Sequence, residues 1–130
     1  MIVLDASAAI EWLLQTPTGL RVARRISSRR HTLHAPHLLD VEVTQALRSY
    51  VAGGAMAASR AEEALQDLTD LRIRRYPHVL FLRRIWELRD HLTAYDAVYV
   101  ALAEALDATL VTCDGKLALA PGPFARVEVI

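Results

Sequence analysis

Thiol, membrane and bulk-charge chemistry all find little support in this chain of 130 residues. A single cysteine, Cys113, excludes an internal disulfide and suits a reducing compartment. No apolar run approaches the roughly 18 residues that a membrane span requires, because Glu, Arg or Asp interrupts each candidate. No basic stretch precedes the first apolar residues, and Asp5 would break a signal-peptide core, so a cytoplasmic location is expected. Net charge is also missing: 15 basic residues balance 15 acidic ones, which argues against nucleic-acid binding by bulk electrostatics. Aromatics make up 6 % of the chain and are too scattered to form a base-stacking platform. The few glycines form no phosphate-cradling loop of the Walker or dinucleotide type.

What the chain does have is four carboxylates in apolar settings. Asp5 ends the run Met1-Ile2-Val3-Leu4, and Asp114 follows Leu110-Val111-Thr112-Cys113 in the same way. In an open parallel α/β sheet, residues just past the strand ends line the ligand crevice. Asp96 opens a stretch, Ala97 to Ala103, that is apolar on every side and reads as a buried helix. Glu42 interrupts another mostly apolar helical segment, beside Leu38, Leu39 and Ala46 in projection. Four acids converging on one crevice repel each other unless a cation joins them. An oxygen-only site of that kind suits Mg²⁺, with Mn²⁺ as the alternative.

The pattern along the chain predicts alternation. Short strands are expected at Ile2 to Asp5, Thr32 to Ala35, Ile73 to Tyr76, Thr109 to Thr112 and Val127 to Ile130. Helices are expected at Ser7 to Leu14, Leu20 to Ser28, Leu38 to Val51, Ala57 to Leu71, Pro77 to Leu88 and Thr93 to Leu106, with a helical turn at Lys116 to Leu119. Thr16-Pro17-Thr18-Gly19 is read as a break and Gly53-Gly54 as a stop. Strands alternating with helices imply right-handed crossovers and a mostly parallel sheet covered on both faces, in one α/β domain. No repeat, linker or low-complexity segment divides residues 1–130.

Each acid also has a plain structural explanation. Asp5 can cap the first helix, Thr93-x-x-Asp96 is a capping box, Asp114-Gly115 is a turn dipeptide, and Glu42 can reach solvent from a helix edge. Taken together these explanations are strained, since two acids end strands and two sit in apolar helices. His31, His34 and His37 are evenly spaced, but Pro36 prevents one helix from aligning them as ligands. Ser7 has no nucleophile-elbow pattern around it. The arginines clustered at 21–30, 72–75 and 83–89 read as solvated helix faces, with local basic rims whose forked guanidiniums match phosphate as the alternative. A phospho-acceptor receiver domain fits poorly because Leu4 and Ala6, not acids, flank Asp5. A haloacid-dehalogenase-type phosphatase would need a second acid where Ser7 stands.

Met1-Ile2-Val3-Leu4-Asp5-Ala6-Ser7-Ala8, Val41-Glu42-Val43 with Ala46-Leu47-Arg48, Tyr95-Asp96-Ala97 with Tyr99, and Thr112-Cys113-Asp114 together resemble the PIN-domain ribonucleases. Within them the chain is most similar to the VapC toxins of type II toxin–antitoxin pairs. The resemblance implies a three-layer α/β/α sandwich around a mostly parallel five-stranded sheet. It also implies Mg²⁺-dependent endonucleolytic cleavage of RNA, inhibiting translation and growth. Asp5, Asp96 and Asp114 would then hold a metal, and Glu42 a second metal or the attacking water. Ser7 and Thr112 would support them, as would Gln45, which stands where such toxins more often carry Asn. The implied partners are a VapB-type antitoxin and a second copy of the chain. Trp12, Leu13 and Leu14, with Leu47, Tyr50 and Val51, are the candidates for the antitoxin groove. The alternative is a catalytically silent PIN-fold domain that binds RNA or an antitoxin.

Overall fold

The computed structural model describes residues 1–119 and 125–130. In chain order it has β1 (Ile2–Leu4), α1 (Ala6–Leu13), α2 (Pro17–Ile26), β2 (Leu33–Pro36), α3 (Leu38–Ala52), α4 (Ala58–Asp70) and β3 (Ile73–Tyr76). A 3₁₀ turn (His78–Phe81) leads into α5 (Leu82–Glu87), followed by α6 (Ala94–Leu106), β4 (Thr109–Thr112), α7 (Lys116–Leu119) and β5 (Arg126–Val129). The five strands form one sheet in the order β3-β2-β1-β4-β5, and every pairing is parallel.

This strand order locates the working end of the molecule. From β1 the chain steps outward through β2 to β3, then returns to the other side of β1 for β4 and β5. With right-handed crossovers, α1 to α4 cover one face while α5 and α6 cover the other. The α1 helix packs on α2, α3 and α4, and α6 packs on α5, β1, β2 and β4. The direction reverses between β1 and β4, and the crevice at their carboxyl ends is the expected ligand position.

The core explains why the strands are apolar without alternation. Ile2, Val3 and Leu4 of β1 and Leu110 and Val111 of β4 are all buried, as they must be in a sheet covered on both faces. Helix α6 is enclosed throughout its middle, from Ala97 to Ala103. Two expected elements differ. The Thr16-Pro17 pair starts α2: the Thr16 Oγ1 accepts from the Gly19 N–H at 2.9 Å, and proline, whose missing N–H costs nothing there, opens the helix. The single helix expected from Pro77 to Leu88 is a 3₁₀ turn plus a short α5, with no buried residue in either. Only Phe81 and Ile85 of these two elements pack on the core, and only in part, which is too narrow a face to hold one long helix.

Candidate active site

Asp5 is the fixed point of the crevice. Its backbone sits at the N-cap of α1, but its carboxylate makes no capping bond to that helix. Instead, Oδ2 accepts from the Ser7 hydroxyl at 2.6 Å and from the Thr112 hydroxyl at 2.8 Å. Each hydroxyl has one proton, so both point at Asp5, and their own 3.2 Å separation is a consequence. Each also accepts a backbone N–H from the exit of β4: Cys113 donates to Ser7 at 2.9 Å and Asp114 to Thr112 at 3.0 Å. The end of β1, the start of α1 and the loop after β4 are thereby tied through one carboxylate. Asp5 is 5 % exposed and Thr112 fully buried, so these bonds are shielded from water.

The other acids reach the same crevice from different elements. Asp96 is the third residue of α6; its N–H donates to the Thr93 hydroxyl at 3.2 Å, so the expected cap forms. Burial raises its pKa, with further upward pushes from Asp5 and then Asp114. Asp114 accepts the Lys116 N–H at 3.0 Å on Oδ1, so its turn role exists alongside its place near Asp96. Glu42, in the second turn of α3, carries the strongest signal. Its Oε1 is buried without a hydrogen-bond partner. Burial, then Asp5, then Asp96 push its pKa up to about 7. It does not take the solvent-facing position that a helix-edge glutamate would.

Gln45 does not join them. It is exposed, and its Nε2 donates to the Ser49 hydroxyl at 3.5 Å. Gln45 stands two residues from both Val43 and Leu47 of the buried stripe, about 200° around the helix from each, and so points outward. Cys113 lies near the site, where burial, then the Glu11 and Asp5 charges, push its thiol pKa up and so disfavour the thiolate.

The evenly spaced histidines do not form a cluster. His34 is buried, with its ring nitrogens 2.8 Å from the Thr32 hydroxyl and 2.7 Å from the Tyr76 hydroxyl, so its role is to join β2 to β3. Sequence reasoning missed Tyr99 as a site residue. It is fully buried three residues beyond Asp96, and among the described residues its hydroxyl is, with Glu42 Oε1, a buried polar atom without a partner. The signal available was its polar atom inside an otherwise apolar helix.

Among the described residues, no group of three or more Asp, Glu, His or Cys side chains is already drawn together to hold a metal ion. The donors are nevertheless those a hard divalent cation selects: carboxylate oxygens without a competing thiolate or imidazole, one of them orphaned.

With this geometry in place, the comparisons are informative. Residues 2–122 match the PIN domain family. The chain is 44 % identical over 130 residues to Ribonuclease VapC12 of Mycobacterium tuberculosis (strain ATCC 25618 / H37Rv), covering 100 % of this chain and 99 % of that one. Among solved structures, PAE2754 from Pyrobaculum aerophilum is similar with a TM-score of 0.70 at 27 % identity, over 98 % of this chain and 83 % of that one. VapBC2 from Rickettsia felis, solved bound to a DNA fragment from its promoter, reaches a TM-score of 0.71 over 99 % of this chain and 98 % of that one. At 16 % identity that last likeness concerns the fold alone.

Proposed function

Because this chain belongs to the PIN-domain family and, within it, to the VapC ribonucleases, we propose that it is a Mg²⁺-dependent endoribonuclease toxin. In this reading Asp5, Glu42, Asp96 and Asp114 are its catalytic acids. The observation that carries the reading is Asp5, whose carboxylate is held at the sheet's switch point by the Ser7 hydroxyl and the buried Thr112 hydroxyl and not spent on a helix cap. Such an ion, with Mn²⁺ as a substitute, would lower the pKa of a water and neutralise charge on the attacked phosphate.

The chain's own residues supply position and proton handling. Ser7 and Thr112 fix the direction of the Asp5 carboxylate. Asp96 and Asp114 supply further oxygens from the two elements that flank the crevice, α6 and the exit of β4. Glu42, with a pKa of about 7, is able to take a proton from water near neutrality. Water attack at phosphorus, with the P–O3′ bond breaking and the leaving 3′-oxygen taking a proton, would leave a 5′-phosphate and a 3′-hydroxyl without using the RNA 2′-hydroxyl. Cleavage of cellular RNA in this way halts translation and growth. A VapB-type antitoxin is the regulatory partner in this reading, and a second copy of the chain completes the assembly.

The test is cleavage of RNA by the purified protein in Mg²⁺ and in chelator, with Asp5→Asn alongside. The expected result is cleavage that requires the ion and falls at least about 100-fold in Asp5→Asn, whose thermal unfolding stays that of a folded protein. Full activity in chelator would end the metal-dependent reading; an active Asp5→Asn would remove that carboxylate from the reaction.

A further inference from the structure

Among the described residues, two buried polar side-chain atoms lack a hydrogen-bond partner, and they come from helices on opposite faces of the sheet. One is Oε1 of Glu42 on α3; the other is the hydroxyl of Tyr99 on α6. A phenol buried with its donor unused loses its hydrogen bonds to water and gains nothing in return, so each such group calls for an explanation. Tyr99 has no outlet to solvent, since it is fully buried. At i+3 from Asp96 it lies on the face of α6 that serves the crevice. Among the charges acting on the Tyr99 hydroxyl, Glu42 is foremost, ahead of Asp5, Asp96 and Asp40. A donor and an acceptor that each lack a partner are therefore buried beside one crevice, on the two helices that flank it. Of the two Glu42 oxygens, only Oε1 is both buried and unpartnered.

We propose that Tyr99 is a positioning residue: its hydroxyl hydrogen-bonds through one buried water to Oε1 of Glu42 and so turns the other carboxylate oxygen toward the crevice. A water in this place has a donor and a carboxylate acceptor to satisfy it, as buried waters require. The arrangement assigns the two oxygens of Glu42 different tasks. Oε1 anchors the side chain to α6, and the other oxygen meets substrate or ion. The same contact joins α3 to α6 at the crevice, across the end of the sheet. The catalytic consequence rests on the ribonuclease reading above, whereas the contact itself does not.

The experiment therefore separates the two. Thermal unfolding in chelator is measured for the wild type, Tyr99→Phe, Glu42→Met and the double variant. Phenylalanine keeps the ring and removes only the hydroxyl, and methionine keeps the length of Glu42 without an acceptor. Tyr99→Phe is expected to lower Tm by about 3–5 °C in the wild-type background and to leave it unchanged in Glu42→Met. If Tyr99→Phe leaves Tm unchanged or raises it, the hydroxyl has no partner and the proposal falls. An equal loss in both backgrounds would give the hydroxyl a partner other than Glu42, which also overturns it. The second readout is RNA cleavage in Mg²⁺, where Tyr99→Phe is expected to lower kcat about 10-fold with KM unchanged. An unchanged kcat would sink the positioning role. A wild type that cleaves no RNA would instead count against the ribonuclease reading and leave the stability cycle to decide the contact.

Discussion

Glu42 shows how one residue can record its surroundings. Its pKa of about 7 in the folded chain lies above its ordinary value of 4.5. Between those two values the folded protein holds a proton that the unfolded chain has lost. The native state then binds more protons, so stability falls as pH rises from 4.5 to about 7 and is independent of this group outside that window. Urea unfolding of the chelator-treated protein should show this decline, and Glu42→Gln should flatten it. An unchanged slope in Glu42→Gln would assign the decline to another group. Gln45 makes the opposite point. Its amide suggested a supporting hand for Glu42, yet it lies exposed against Ser49. Gln45→Leu should leave RNA cleavage within about twofold of the wild type, the ordinary result for a surface change away from such a network. A tenfold loss in steady-state cleavage would restore it to the site.

At the scale of elements, the crevice depends on how closely α1 and α2 meet. Gly19, in the first turn of α2, lies against the backbone of α1. A Cβ there would stand 1.9 Å from the Glu11 carbonyl oxygen and 2.5 Å from its carbon. Backbone cannot yield as the end of a side chain can, so the helices must move apart. Thr16 reinforces the junction, accepting from the Gly19 N–H and donating to the Glu11 carboxylate. Gly19→Ala should destabilise the protein by about 3 kcal/mol in urea unfolding, whereas Gly115→Ala, with nothing within 4 Å, should be close to neutral. Equal effects at the two positions would mean that the helix junction tolerates a methyl group. Because Ser7 is carried on α1, loosening this junction should also reach Asp5.

At the scale of the whole molecule, among the described residues no helix is long and apolar enough to cross a membrane. Apolar surface is unevenly distributed. Trp12, expected in the antitoxin groove, is partly buried and lines a depression of about 260 Å³ with Leu13, Gln15, Asp67, Asp70 and Leu71. A run of exposed apolar side chains lies elsewhere: Val79, Leu80, Leu82 and Trp86, in the 3₁₀ turn and α5, are all more than half exposed. A run of this kind usually marks a contact surface, and we expect the second copy of the chain to cover it in a two-fold dimer. Trp86→Asp should then convert the dimer to a monomer in sedimentation at micromolar concentration while RNA cleavage per chain persists. A wild type that sediments as a monomer, or a variant that still dimerises, would place the contact on another face.

The boundary between what was legible in the chain and what was not follows from the range of the interactions. The five strands, the buried α6, the Thr93 cap and the stop at Gly53-Gly54 depend on neighbours within a turn or two, so local pattern specified them. The placement of Asp5 and Asp114 at strand ends was legible for the same reason, since an apolar run ending in an acid is a local event. The short run at Pro77 to Leu88 was misjudged because its form depends on how it packs on α6, a contact that local periodicity does not report. Thr16-Pro17 was misread because proline both ends and begins helices, and only the contact between Gly19 and α1 shows which applies. The tertiary structure alone determined which hydroxyls hold Asp5, a contact spanning 107 residues to Thr112. It alone turned Glu42 inward and Gln45 outward on one helix, and gave Tyr99 a buried hydroxyl beside the acids. Periodicity sets which stripe of a helix is apolar, but the side chains at the stripe's edge point wherever the neighbouring layer leaves room, and that layer is built from distant parts of the chain.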